Sequence, residues 1–274
     1  MAGSFAALWR FAPEKFLVRL RASYAACALA AALALGARGQ ETLQLSAAGI
    51  GLALGWNTVT LAAGLRSLVP ANRLGLAAGL GTGAAYALCN VPQIFMASPV
   101  EQTSFSAGIS VAAALGLAAA EPAWAEIPST ARRAVGPWVA IFLALVAFDS
   151  AAFYLIQHTP TLRAATWSGA ANLWGLALVH LVIALVAGRL LDGGWLAGVV
   201  GAAGALLLVA ALGLRLTLMS GLGFAYAAGV SLYSAALVYF AARDGRPKVA
   251  ALVFAIAGWA GSAVGIAVAQ QFVP

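Results

Sequence analysis

The stretch Gly136–Pro160, GPWVAIFLALVAFDSAAFYLIQHTP, decides the fold class of this chain. It is apolar over a length that crosses a bilayer, which takes about 20 residues, yet it carries Asp149 well inside. A carboxylate in hydrocarbon costs several kcal/mol unless it is paired, protonated or hydrated, so an acid in this position usually marks a function. We therefore predict a membrane-spanning helix here, and Asp149 is the first candidate for a functional residue.

The composition of the whole chain agrees with a membrane protein. Hydrophobic residues make up 63% of the sequence and charged residues only 8%, whereas a soluble domain carries about 25% charged residues. Long runs of Ala, Leu, Val and Gly favour helices over a β-barrel, because a barrel would show alternating segments of about ten residues. The predicted fold class is all-α, a polytopic transmembrane helical bundle of about nine spans.

The apolar segments give the predicted order of spans along the chain. The nine segments are residues 22–37, 45–65, 74–97, 104–120, 135–157, 169–188, 194–213, 217–241 and 249–270. Segments 22–37 and 104–120 are short for a span. The first of them follows a basic stretch and ends near small residues, so it is either a retained span or the apolar part of a signal peptide.

The longest polar connection divides the predicted spans into two groups. Residues 1–21 form a basic cytoplasmic leader, and residues 22–120 form an N-terminal bundle of four transmembrane helices. Residues 121–134, which contain two prolines and four charges, form a cytoplasmic linker. Residues 135–274 form a C-terminal bundle of five transmembrane helices.

The placement of basic residues predicts the orientation in the membrane. With the N-terminus inside, twelve of the fifteen Lys and Arg residues fall in cytoplasmic segments, and only Arg38, Arg163 and Arg215 fall outside. This bias is what the positive-inside rule requires. We therefore predict an integral protein of the inner (cytoplasmic) membrane with its C-terminus outside. The net charge of +7 then reflects topology and contact with the lipid bilayer, and no nucleic-acid partner is predicted.

Three polar residues of the fifth and sixth spans define the main candidate site. With a rise of about 1.5 Å per residue, Asp149 lies at a depth between those of Asn172 and His180. Consecutive helices usually pack together, so a contact of Asp149 with either residue is possible. One interpretation is a carboxylate that couples a proton or another cation to transport, tuned by His180. The other is a structural hydrogen bond from Asp149 to Asn172 or a hydroxyl group.

A second candidate site lies around the one proline that falls inside a predicted span. Pro92 lacks a backbone donor and clashes with the carbonyl of Leu88, so a helix kink is predicted there. Freed carbonyl groups together with Asn90 and Gln93 would form a small polar site at a broken helix, as occurs in transporters. An ordinary proline kink whose backbone groups are satisfied by neighbouring helices is the alternative.

Other polar residues within the spans give no motif of a known chemistry. Asn57, Thr58, Thr60, Ser231, Tyr226 and Tyr233 either line a cavity or form interhelical hydrogen bonds. Cys89 and Met96 could act as soft copper ligands, but no second sulfur pair or nearby histidine accompanies them. The sequence contains no HExxH, GxSxG or paired-carboxylate motif. We predict no enzyme activity, no cofactor and no metal site.

From Trp138 onward the order of segments resembles the C-terminal half of a major facilitator superfamily (MFS) transporter. Two predicted helices are followed by Gly188-Arg-Leu-Leu-Asp192-Gly-Gly194, which is similar to the cytoplasmic loop motif of that superfamily. Gly188 and Asp192 match the motif spacing, whereas residue 193 is a glycine in place of a basic residue. The resemblance implies that the nine spans correspond to helices three to eleven of a twelve-helix scaffold.

The resemblance and the buried acid together suggest a function. We expect secondary transport, coupled to protons through Asp149, of a small-molecule or ion substrate that remains unidentified. The alternative is a non-transporting integral subunit or assembly factor of a respiratory or cofactor-loading complex, which would have a membrane-protein partner. The reduced helix number and the small amount of polar lining favour this alternative.

Overall fold

A computed structural model describes residues 1–9, 11–122, 134–215 and 221–272, and every regular element in these ranges is helical. The helices are α1 (Ala2–Ala6), α2 (Phe16–Leu35), α3 (Gln40–Leu68), α4 (Leu74–Cys89), α5 (Pro92–Phe95), α6 (Pro99–Gly116), α7 (Val135–His158), α8 (Pro160–Trp167), α9 (Ala170–Asp192), α10 (Leu196–Arg215), α11 (Leu222–Asp244), α12 (Pro247–Leu252) and α13 (Gly261–Ala269). A π-helical segment, Val253–Ala260, joins α12 to α13. The prediction of an all-helical protein is confirmed.

Eight helical stretches in the described part of the chain are long and apolar enough to cross a membrane. They correspond to eight of the nine predicted segments. The ninth, residues 74–97, is divided between the 16-residue helix α4 and the four-residue helix α5. Pro92 is the first residue of α5, where its missing N–H group costs no hydrogen bond.

Contacts between residues divide the chain into two compact units. The first unit comprises Met1–Pro70, Met96–Arg133 and Ala241–Ala255, and the second comprises Ala71–Phe95, Ala134–Phe240 and Ile256–Pro274. Each unit therefore draws on separate parts of the sequence. Residues 123–133 of the predicted linker lie outside the described residues, so the linker remains a prediction.

In the first unit, α2 packs against α3 and α6, and the short helix α1 packs against α3. Gly3 touches the backbone of Leu52 so closely that a side chain at position 3 would collide with it. The guanidinium group of Arg19 donates hydrogen bonds to the carbonyl oxygens of Ala7 and Trp9, each at 2.9 Å. The first residues of the predicted leader are therefore folded onto the helices of this unit.

In the second unit, α4 and α9 form a seam in which the two backbones touch. Gly75 lies against the carbonyl oxygen of Gly188, and Gly79 lies against that of Ala184. Gly83 follows one turn further along, also against Ala184. Residue numbers rise along α4 while those of its contacts fall along α9, so the two helices run antiparallel. Small residues allow helices to approach closely in lipid, and the GxxxG spacing of α4 supplies three of them on one face.

A second seam of small residues joins α7 to α13. Gly265 lies against the backbone of Ala147, and Gly261 lies one turn earlier against the same helix. The hydroxyl group of Ser150 donates a hydrogen bond of 2.9 Å to that of Ser262. The two helices run parallel, and this seam fixes the face that α7 turns toward the rest of the unit.

Candidate functional site

The carboxylate of Asp149 is held by two tyrosines of α11. Tyr226 donates a hydrogen bond to Oδ1 of Asp149 and Tyr233 donates one to Oδ2, both at 2.5 Å. The two tyrosines are seven residues apart, which places them on one face of the helix, two turns apart. Each carboxylate oxygen therefore has its own hydroxyl donor, both supplied by one neighbouring helix.

Further polar side chains from α4 and α9 meet the same part of α11. The hydroxyl groups of Tyr86 and Ser234 are 3.1 Å apart, and Nδ1 of His180 lies 2.8 Å from the hydroxyl oxygen of Ser231. The rings of Tyr86 and His180 stack with their centroids 4.9 Å apart. Four helices thus contribute to a group of polar side chains that we name the polar cluster. Its members are Tyr86, Asp149, His180, Tyr226, Ser231, Tyr233 and Ser234.

The helix that carries most of the polar cluster is also the most buried. In the most apolar part of α11, 72% of the residues are buried, against 44% or less in the other candidate spans. Polar groups in hydrocarbon must find partners inside the protein. Four residues of α11 meet this requirement, because each bonds to a side chain of α4, α7 or α9: Tyr226, Ser231, Tyr233 and Ser234.

The members of the polar cluster differ in how far they are enclosed. His180, Ser231 and Tyr233 are buried, with exposed fractions of 7%, 0% and 4%. Asp149 and Tyr226 are only partly buried. Asp149 therefore lies at the edge of the buried part of the cluster.

The hydrogen bonds around Asp149 depend on whether its carboxyl group is ionised or protonated. An ionised carboxylate only accepts hydrogen bonds, so it accepts from both tyrosine hydroxyls, whereas a protonated carboxyl group must itself donate one. Protonation of Asp149 therefore requires at least one partner, Tyr226 or Tyr233, to turn its hydroxyl toward another acceptor. Tyr86, which stacks on His180, pairs its own hydroxyl group with that of Ser234 on α11.

The hydrogen-bond partners of Asp149 come from α11, and neither Asn172 nor His180 bonds to it in the described part of the chain. Asn172 donates a hydrogen bond to the carbonyl oxygen of Thr166, at the start of α9, and His180 is bonded to Ser231. The reason is that the consecutive long helices are not principal partners. Helix α7 packs against α13, and α9 packs against α4.

The residues around Pro92 lie at the end of α4. The side-chain amide of Asn90 donates a hydrogen bond of 2.9 Å to the carbonyl oxygen of Tyr86, so Asn90 satisfies a carbonyl of the last turn. Gln93 is exposed, and Pro92 is buried. Within the described residues, Asn90 therefore connects to the polar cluster through the backbone of Tyr86, and Gln93 makes no hydrogen bond.

Gly188 and Asp192, the residues of the loop motif, lie in the last two turns of α9. The carboxylate of Asp192 accepts hydrogen bonds from the backbone N–H groups of Gly75, at 2.6 Å, and Leu76, at 2.9 Å. These groups belong to the first turn of α4, which has no partner for them within its own helix. Asp192 thus caps a different helix, and it also places a negative charge at the positive end of that helix dipole.

Asp149 stands out in the sequence, but the two residues that hold it do not. In the sequence, Tyr226 and Tyr233 are two among several polar side chains of the spans. Two tyrosines seven residues apart in an apolar segment are a signal of a polar face, since the spacing places both hydroxyls on one side of a helix. Ser231 and Ser234 lie between and beside them and strengthen that signal.

The described residues contain no group of three or more His, Cys, Asp or Glu side chains that could hold a metal ion. Comparison of the chain with protein-family models, with curated proteins and with solved structures finds no match.

Proposed function

We propose that this protein is a proton-coupled secondary transporter of a small solute, and that Asp149 is the group that takes up and releases the proton. The observation that carries the proposal is the position of this carboxylate, between two tyrosine hydroxyls within a membrane-spanning segment. An acid that served packing alone would cost more than an apolar residue in the same place. Its retention among hydroxyl groups from several helices therefore favours a role in proton transfer.

Protonation of Asp149 is the step that links the proton to a change in structure. The ionised carboxylate accepts hydrogen bonds from both Tyr226 and Tyr233. The neutral carboxyl group donates one hydrogen bond itself, so that at least one tyrosine hydroxyl must turn its own proton to another acceptor. Neutralisation also lowers the cost of moving this group past hydrocarbon. Both effects loosen the contact between α7 and α11, so a proton gradient can bias the protein between two packings of these helices.

The architecture that we propose is MFS-like with nine crossings, in which α4 and α5 together form the third. The antiparallel contact of α4 with α9 and the parallel contact of α7 with α13 agree with nine crossings that alternate in direction. The proposed location is the inner membrane with the N-terminus inside. Asp192 and Gly188 would then lie at the cytoplasmic end of the seam between α4 and α9.

The proposal is tested by proton movement in proteoliposomes. Purified protein is reconstituted with a pH-sensitive dye in the lumen, and a panel of charged and uncharged small solutes is added one at a time. For at least one solute, the wild-type protein should change the luminal pH as the solute moves. Asp149→Asn should reduce this coupled flux at least tenfold, because the amide cannot take up a proton.

Ser150→Ala serves as the matched control, since Ser150 is the next residue of α7 and bonds to Ser262 on another face. It should retain coupled flux within twofold of wild type. If Asp149→Asn keeps both the solute flux and its pH dependence, the coupling role of Asp149 is wrong.

One observation favours the alternative of a non-transporting membrane subunit. Helix α6 has no buried residue, yet it carries the hydroxyl groups of Thr103, Ser104, Ser106 and Ser110, each bonded to a carbonyl of its own helix. A face of this kind suits contact with a partner helix. A stoichiometric membrane partner that is lost in Gly108→Leu, together with an absence of coupled flux, would favour this alternative.

A further inference from the structure

A partly open cavity of about 320 Å³ is lined by residues of α7, α8, α10 and α11. One of these residues is Tyr226, which bonds to Asp149. The walls of the cavity are Phe148, Ala151, Ala152, Leu155, Leu162, Leu207, Ala210, Ala211 and Tyr226. The space exists because alanines of α7 face alanines of α10, so that no large side chain fills the gap between the two helices. Leu162 of α8 and Tyr226 of α11 line it from the two other helices.

The lining of the cavity defines the chemistry of a ligand. All side chains are apolar except Tyr226, and none carries a charge. A charged solute or a sugar would lose its hydrogen bonds to water here without replacement, at a cost of several kcal/mol. The rings of Phe148 and Tyr226 offer contacts that aromatic molecules prefer. The site therefore selects uncharged, largely apolar molecules.

The volume sets the size of the ligand. An apolar cavity of about 150 Å³ holds one benzene molecule, so a cavity about twice as large holds about a dozen non-hydrogen atoms. This is the size of a two-ring aromatic compound. It also lies at the lower end of the usual range for ligand sites, about 300–1,000 Å³.

Tyr226 connects the cavity to the polar cluster. Its side chain lines the cavity while its hydroxyl group donates to Oδ1 of Asp149. A ligand that fills the cavity restricts the movement of this ring, and release of the hydroxyl by a protonated Asp149 changes the wall of the cavity. Occupancy and protonation are therefore coupled, and by linkage each must affect the other.

We propose that this cavity is a binding site for an uncharged, largely apolar aromatic solute of about a dozen non-hydrogen atoms. That this solute is the transported substrate rests on the proposed transport function, whereas the binding itself does not. The proposed occupant is a free solute and not the acyl chain of a membrane lipid. The volume of the cavity, its two aromatic rings and the bond from Tyr226 to Asp149 fit a small ring compound whose binding depends on the protonation of the carboxylate.

The probe for the test is 1-naphthol, an uncharged two-ring aromatic alcohol, with glucose as the polar comparison. Binding to the purified protein in lipid nanodiscs is measured by equilibrium dialysis. Naphthol should bind saturably and glucose should not. Ala211→Phe fills the cavity with a ring and should weaken naphthol binding at least tenfold.

The matched control is Leu212→Phe, which places the same ring on the next residue of α10, where the side chain is 53% exposed. It should leave naphthol binding within twofold of wild type. Equal binding to wild type and Ala211→Phe would show that naphthol binds elsewhere and would overturn the proposal. An absence of saturable binding to wild type would overturn it as well.

A second measurement separates the free solute from a lipid chain. Electron paramagnetic resonance of a phosphatidylcholine spin-labelled in the middle of its chain reports lipid that is immobilised by the protein. The immobilised fraction should be the same in wild type and Ala211→Phe. A smaller fraction in Ala211→Phe would identify a lipid chain as the occupant and overturn the proposal.

Failure of the cavity assignment can be distinguished from failure of the proposed transport function. If naphthol binds and Ala211→Phe abolishes binding, while Asp149→Asn leaves coupled flux intact, the cavity assignment stands and the transport function fails. If Asp149→Asn abolishes coupled flux and naphthol does not bind, the cavity assignment fails and the transport function stands.

Discussion

The seam between α4 and α9 and the contact between α7 and α11 hold helices together in opposite ways. The seam brings two backbones into contact through glycines, and the side-chain hydrogen bonds across it, among the described residues, are the two that Asp192 accepts at one end. The contact between α7 and α11 depends on the carboxylate of Asp149 and two tyrosine hydroxyls. The first has one close-packed arrangement, whereas the second changes with the protonation of a single group.

This difference separates the parts of the unit that stabilise the fold from those suited to function. Close packing of small residues is rigid, since any added atom collides with a backbone. A carboxylate with two donors has two hydrogen-bonding states, and each favours a different position of the tyrosine side chains. Mutations in the seam should therefore act on stability, and mutations around Asp149 should act on stability and, under the proposed function, on proton coupling.

The largest expected effect is on the seam. Gly79→Ala places a methyl group against the backbone carbonyl of Ala184, which cannot move away without separating the helices. We expect a loss of about 3 kcal/mol in the free energy of unfolding, measured by equilibrium unfolding in mixed micelles. Gly81→Ala is the matched control, because Gly81 has open space around it on the same helix. Equal stability of the two variants would contradict the seam.

A smaller effect is expected at the polar cluster. Tyr233→Phe removes the donor to Oδ2 of Asp149 and leaves that oxygen without its hydrogen bond, at a cost of about 2 kcal/mol. In the double variant with Asp149→Asn, the two changes should not add, since the bond is already altered. Tyr154→Phe is the control, because its hydroxyl forms no hydrogen bond within the described residues. Additive effects in this double-mutant cycle would show that the bond contributes nothing.

The cap at the end of the seam should contribute less. Asp192→Ala leaves the N–H groups of Gly75 and Leu76 without their acceptor, and removal of a helix cap typically costs about 1 kcal/mol. Asp192→Asn keeps one oxygen acceptor and should lose about half as much. Unfolding of all three proteins under the same conditions tests this order, and an alanine variant as stable as wild type would exclude the capping role.

The smallest expected effect is in the seam between α7 and α13. Ser150→Ala removes the hydrogen bond to Ser262, and interhelical bonds of this kind contribute about 0.6 kcal/mol on average. Ser110→Ala, which removes a bond within one helix, is the comparison and should change stability less. A loss well above 1 kcal/mol at Ser150 would mean that the hydroxyl pair, and not the neighbouring glycines, holds this seam together.

Much of the fold follows from the sequence because hydropathy and length are local properties. The apolar segment that contains Asp149 predicts α7 to within two residues at either end. The same reasoning predicts a full span at 74–97, where the structure has α4 and α5. Hydropathy averages over the proline, whereas the backbone ends its helix three residues before it, at Cys89.

The partners in the candidate site could not be predicted because they depend on how each helix is rotated about its axis. Tyr226 is 77 residues from Asp149, and hydropathy does not tell which face of α11 meets α7. The spacing of Gly188 and Asp192 is visible in the sequence, but the helix that they contact is not. Rotation is set by the glycine seams, and these become evident only when both partners are placed together.

The cap that Asp192 provides also determines when α4 and α9 can assemble during synthesis of the chain. Gly75 leaves the ribosome 117 residues before Asp192 does, so the first turn of α4 is synthesised long before its acceptor exists. Until α9 has entered the bilayer, the first N–H groups of α4 lack the acceptor that Asp192 provides. The glycines of α4 also lack the helix against which they pack. Assembly of this pair must therefore wait for the later helix, and nascent chains that stop short of residue 192 would leave α4 exposed to quality-control proteases.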